Sequence, residues 1–178
     1  RPLTAEGRQD ARMVTDFLAD KGIDVFYSSP YRRSFDTIAA AAACYGKDIV
    51  TDERLREREK GINGNEHGMF EKRWADHDYC EEKGESLNMV QRRNIEALTE
   101  ILEENKGKRI VIATHGTALS TILHFYHPEF GCKDFLRIID WMPYIIELDF
   151  QGNKLWAEQE HCYIEKEFPG KKRADKKQ

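Results

Sequence analysis

The stretch Lys108 to Thr117, KRIVIATHGT, decides the fold. Its first seven residues, KRIVIAT, form the strongest strand signal in the chain, a β-branched apolar run of the length of a buried strand. His115 leaves that run and a helical pattern starts near Gly116. Upstream, Ser86 is a good N-cap for a long helix to about Asn105, with Leu87, Val90, Ile95, Leu98, Ile101 and Leu102 turned inward. Asp24 to Ser29, DVFYSS, reads as a second buried strand. Pro30 suits the first turn of the next helix, which runs through an alanine-rich stretch to about Tyr45 and ends at Gly46. Thr4 caps an earlier helix carrying Ala11, Val14, Phe17 and Leu18, with Gly22 as its C-cap, and Ile49-Val50 is a further short strand. Downstream, Tyr144 to Phe150 and Lys154 to Cys162 flank Gln151-Gly152-Asn153, a hairpin expected at a sheet edge. Helices alternating with strands predict an α/β fold, a three-layer αβα sandwich with a mostly parallel sheet and an antiparallel edge.

Composition narrows the class. A chain of 178 residues suits one domain, expected over residues 1–165, with a basic tail at 166–178. Thr51 to Gly84 is irregular, with four glycines and an ambiguous helix near Met69 to Cys80. Residues 62–83 of it are expected to form a lid or insertion. The net charge is −4, but Lys171 to Gln178 carries +4, leaving −8 on the remainder. An acidic body is a poor partner for a phosphate backbone, so nucleic acid is excluded as the target. The longest apolar run, Ile38 to Tyr45, has eight residues, far short of the roughly 18 that cross a membrane. Cys44, Cys80, Cys132 and Cys162 are widely spaced without a CxxC pair. They predict reduced thiols in a cytoplasmic protein. The sequence does not specify an oligomeric state.

In a parallel sheet, ligands bind beyond the carboxyl ends of the strands. Two such ends carry chemistry: Ser28-Ser29-Pro30-Tyr31-Arg32-Arg33-Ser34 and Thr114-His115-Gly116-Thr117. A helix N-terminus there offers backbone N–H groups to an anion, and Arg33 could add a bidentate fork from its own helix. A third element, Arg54 to Gly61, RLREREKG, alternates carboxylates with cations. Each feature alone is commonplace, since arginines are mostly solvated and a histidine after a strand is usually a core or capping group. Their order at strand-to-helix crossovers carries the argument. His67-Gly68 reads as loop, and His124 with His127 lack a third metal ligand.

PLTAEGRQDA, SSPYRRSFDT, RLREREKG, KGESL and IVIATHG, in that order, resemble the histidine phosphatase superfamily with its phosphoglycerate mutase-like fold. The match covers Pro2 to about Ala118 and continues loosely into the carboxyl-terminal strands. The resemblance implies catalytic roles for Arg33 as a phosphate-binding arginine, Glu57 as proton donor and His115 as the second active-site histidine. Gly116 and Thr117 would present backbone donors to the phosphoryl group. It implies a small phosphorylated substrate, no cofactor and no metal, and no carboxylate cluster in the sequence suits magnesium.

The family's nucleophile is a histidine in an Arg-His-Gly or Arg-His-Ala motif upstream of the PLT block, and this sequence contains neither motif. The expectation is a polypeptide extending upstream by about 20 residues or more, enough for a strand and its loop. A chain starting at Arg1 is expected to be inactive. With the nucleophile present, the resemblance implies in-line attack giving a phosphohistidine, with Glu57 protonating the leaving alcohol and then activating water. The small segment before Ser86 favours hydrolysis over transfer. The alternatives are a cofactor-dependent phosphoglycerate mutase and a non-catalytic phospho-ligand-binding protein. The residues of the segment, including Trp74, Asp76, Asp78 and Tyr79, are expected to face substrate and to disfavour highly anionic ones.

Overall fold

A computed structural model of the chain describes residues 2–166; the basic tail expected at 166–178 lies outside the described residues except for Lys166. The elements are α1 (Ala5–Leu18), β1 (Val25–Ser28), α2 (Arg32–Cys44), β2 (Ile49–Thr51), a 3₁₀ turn (Glu53–Leu55), α3 (Met69–Ala75), α4 (Leu87–Glu104), β3 (Ile110–Ala113), α5 (Gly116–Tyr126), α6 (Cys132–Ile138), β4 (Trp141–Gln151) and β5 (Lys154–Glu165). Strands β2, β1 and β3 form a parallel sheet in that spatial order, and β4 pairs with β5 antiparallel.

The parallel strands sit between two helical layers because their side chains alternate. Phe26, Val111 and Ala113 pack with Val14, Leu18, Ile38, Ala41 and Ala42 of α1 and α2. Val25, Tyr27, Ile110 and Ile112 pack on the opposite face with Ala97 and Ile101 of α4 and with Leu55. This is the αβα sandwich. The N-caps Thr4 and Ser86 formed where sequence pointed: the Thr4 hydroxyl accepts from the Gly7 N–H at 3.0 Å, and the Ser86 hydroxyl from the Met89 N–H at 3.2 Å, whereas α1 ends with Ala19 as its C-cap rather than Gly22.

Several elements differ from expectation. Pro30 precedes α2 rather than entering it, and Tyr31 is the N-cap. The seam of α4 is Leu87, Val90, Asn94, Ala97, Leu98 and Ile101; Ile95 and Leu102 fall on its half-buried flanks. A 3.6-residue period carries the stripe through Asn94 rather than Ile95. The strand at β3 is half-buried along its whole length because, among the described residues, its second edge has no strand partner. The hairpin strands are longer than the apolar runs suggested and, among the described residues, pair as strands only with each other. The helix in the irregular segment is short, ending at Ala75, and α6 has no counterpart in the sequence reading. Among the described residues, no helix is long and apolar enough to cross a membrane.

Candidate active site

The carboxyl ends of β1 and β3 lie side by side, joined by the Ser29 N–H donating to the Ala113 carbonyl at 2.9 Å. This brings Ser29 and His115 together, although 86 positions separate them: His115 Nε2 is 2.8 Å from the Ser29 hydroxyl. The Tyr31 N–H donates to the same hydroxyl at 3.2 Å, which fixes its position. The Tyr31 ring meets the imidazole edge-on at 5.2 Å, and the Arg33 guanidinium lies over that ring, 5.0 Å from its centre. His115 is 9% exposed. Its burial, then the charges of Arg33 and Arg93, push its pKa down to about 3, so the imidazole is neutral at physiological pH. Among the described residues Arg33 has no carboxylate at ion-pair distance.

Glu57 arrives from the turn after Leu55. Thr114 ties that turn to β3 by donating its hydroxyl proton to the Leu55 carbonyl at 3.0 Å. The Glu57 carboxylate then caps α5, accepting from the Thr117 and Ala118 N–H groups at 3.2 Å each and from the Arg58 N–H at 2.8 Å. The Thr117 amide, expected to face a phosphoryl group, is bonded to Glu57 in this structure. A Cβ on Gly116 would meet nothing nearer than Ile139 at 3.9 Å, so protein packing does not require glycine there. Ser29, Tyr31 and Arg33 therefore gather around His115, and Glu57 sits at the N-terminus of α5, on Thr117 and Ala118, directly after it.

The segment over residues 62–83 is fastened rather than loose. Lys60 and Gly84 bridge its base, and the Ile62 N–H donates to the Glu82 carbonyl at 2.9 Å. Gly61 is obligatory there: its φ is +65°, and a Cβ would fall 2.7 Å from the Glu82 carbonyl oxygen. Below it the buried Glu81 carboxylate bridges Arg58 and Arg73. Trp74 packs against His77, His124, Phe130 and Phe135, and the Asp78 carboxylate accepts from Asn88, so these residues are occupied by α4, α5 and α6. His124 pairs with the Phe130 carbonyl, while His127 has left the helix to meet Glu158. His67 is exposed in a turn. Among the described residues no three His, Cys, Asp or Glu side chains converge as a metal site.

The sequence reading passed over Glu85 and Arg93. Glu85 stood in the quoted KGESL block, whereas Arg93 carries no local signal, since an arginine on a helix ordinarily reads as solvated.

A family model for the histidine phosphatase superfamily (branch 1) matches residues 1–155. The chain is 30% identical to phosphoglycerate mutase-like protein 4 of Arabidopsis thaliana, over 89% of this chain and 75% of that protein. It is 31% identical to the probable phosphoglycerate mutase GpmB of Enterobacter sp. (strain 638), over 68% of this chain but only 61% of the bacterial protein's length. Among solved structures, a mutant phosphoserine phosphatase from Entamoeba histolytica in complex with phosphoserine superposes with a TM-score of 0.72 at 20% identity, covering 91% of this chain and 83% of its own. The fold is thus shared, and the chain belongs to the histidine phosphatase superfamily.

Proposed function

We propose that the crevice serves a metal-independent phosphomonoester hydrolase working through a phosphohistidine, in a polypeptide that carries the nucleophilic histidine ahead of Pro2. The observation that carries this reading is the pairing of an arginine that, among the described residues, has no acidic partner with a neutral, buried histidine beside a helix N-terminus. A phosphomonoester brings close to two negative charges, and Arg33 supplies a fork for two of its oxygens. His115, held by Ser29, donates to a third oxygen as charge spreads over the phosphoryl group in the transition state. Gly116 leaves room for close approach of substrate to the backbone. Glu57, at hydrogen-bond distance from α5, is the proton donor to the leaving alcohol and then the base for water. The cysteines form no disulfide among the described residues, with Cys44 and Cys80 exposed, which suits a reducing compartment such as the cytoplasm.

The relatives named as mutases favour a second reading, in which the phosphoryl group returns to another hydroxyl. Transfer requires a closing segment that excludes water while an intermediate reorients. Residues 62–83 are few and fastened, which favours hydrolysis. The discriminating assay compares release of inorganic phosphate from several monoesters with interconversion of 3- and 2-phosphoglycerate. Hydrolysis in excess, inhibited competitively by vanadate and indifferent to EDTA, is the expected result. Interconversion well above phosphate release would reverse the reading, and loss of activity on chelation would point to a metal mechanism.

A further inference from the structure

The Arg93 guanidinium, on the second turn of α4, uses all five of its N–H donors. Nη1 donates to the carbonyls of Arg54 and Arg56 at 2.6 and 2.8 Å. Nη2 donates to the Glu57 carbonyl at 3.3 Å and to Glu85 Oε2 at 3.0 Å, and Nε donates to Glu85 Oε1 at 3.0 Å. Three of these bonds grip the short turn that ends in Glu57. The other two hold the guanidinium on Glu85, which also accepts a bidentate pair from Arg56 and the Glu59 N–H. A surface role would not need every donor, and a lysine offers three rotatable donors from one nitrogen rather than a fork spanning carbonyls and carboxylate together.

We propose that Arg93, oriented by Glu85, is a positioning residue that sets the backbone of the Arg54–Glu57 turn and so places the Glu57 carboxylate against the N-terminus of α5. Its bearing on catalysis rests on the reading of Glu57 as proton donor; the positioning itself does not. The charge of Arg93 also helps keep His115 neutral, so one side chain bears on two groups of the crevice.

Positioning is read directly from backbone amides. Thr117 and Ala118 report the Glu57 carboxylate, so Glu57→Gln shifts their ¹H–¹⁵N resonances and marks the expected direction. Arg93→Lys should move the same two amides in that direction while the rest of α5 stays in place. Glu85→Gln, which keeps side-chain volume, should do so more weakly, and it carries the test if Arg93→Lys does not fold. Unmoved Thr117 and Ala118 amides in a folded variant overturn the proposal. In a polypeptide with the nucleophile, Arg93→Lys should lower kcat for an alkyl phosphate about tenfold more than for a nitrophenyl phosphate, with KM little changed, because misplacing a catalytic group acts on the step it serves. If Glu57→Gln shows that selectivity and Arg93→Lys does not, the proposal fails while the proton-donor reading stands. If Glu57→Gln lacks it, the proton-donor reading fails and the amide shifts alone decide the positioning.

Discussion

Arg33 and Arg93 both sit in the first two turns of helices that flank the same sheet, and their surroundings are opposite. Arg33 stacks on an aromatic ring and, among the described residues, has no acidic partner, while Arg93 has every donor satisfied. The contrast extends to whole regions. On one side the ends of β1 and β3 gather a neutral histidine, a hydroxyl and a cation that is unpaired among the described residues. On the other, Arg56, Arg58, Arg73 and Arg93 are each ion-paired, two with Glu85 and two with Glu81. A paired buried arginine fixes structure, because its charge is already compensated. An unpaired arginine at the mouth of a crevice attracts an anion that the protein itself does not provide.

The largest effect that tests this division is in the ion cluster. Removing the Glu81 carboxylate by Glu81→Ala leaves Arg58 and Arg73 as uncompensated buried charges, which should cost about 3–5 kcal/mol in urea unfolding. Phosphate binding in the surviving folded protein should be unchanged. In the crevice the pattern inverts: Arg33→Ala should alter stability by less than about 0.5 kcal/mol. In a polypeptide with the nucleophile, the same change, or His115→Ala, should lower turnover of an aryl phosphate by about 10²-fold or more, the scale of one lost transition-state donor. Wild-type turnover in either variant would remove that residue from the site. Glu57→Gln should separate substrates by leaving group, slowing an alkyl phosphate about tenfold more than a nitrophenyl phosphate, because a phenolate departs with little help. Equal slowing would assign Glu57 to binding or structure.

The two regions also titrate in different windows. His115 has a folded value of about 3 against an ordinary 6.5, so the unfolded chain binds the extra proton between those values. The stability this contributes is complete above about pH 6.5 and is lost as the pH falls toward 3, with a slope of at most about 1.4 kcal/mol per pH unit. Burial alone would raise the Glu85 carboxyl, but hydrogen bonds from Arg93 and Arg56 outweigh it and hold its pKa down at about 2. Its contribution is lost only below its ordinary 4.5. His115→Asn should therefore flatten the stability profile between pH 6.5 and 4.5 and leave below 4.5 a shallower fall, the part the carboxylates supply. An unchanged profile would mean that the imidazole is charged in the folded protein.

Legibility in sequence followed how local the determining physics is. The βα crossovers at Ser29 and His115 were readable because strand composition, caps and helix periodicity are short-range properties. Arg33 and His115 were singled out because strand carboxyl ends are where α/β sheets bind ligands, and parallel pairing of β1 with β3 brings those two ends together. The partner of His115 was not: Ser29 reaches it only through parallel pairing of β1 with β3, a contact across 86 positions. Thr117 was assigned to the ligand because a helix N-terminus suits any anion, and nothing local tells that Glu57, 60 positions earlier, occupies it. Arg93 was invisible for the same reason, since five acceptors from two separate stretches of chain, the 54–57 turn and Glu85, define it.

The central claim is that Arg33 and His115 form an anion site for a phosphoryl group. It is tested most directly by titrating the protein with inorganic phosphate while following the His115 imidazole resonances, with vanadate as the second ligand. The account predicts a saturable shift at His115 and at the Thr114–Thr117 amides that is lost in Arg33→Ala and retained in Glu81→Gln. A His115 signal indifferent to both anions, or a shift that survives Arg33→Ala unchanged, would contradict it.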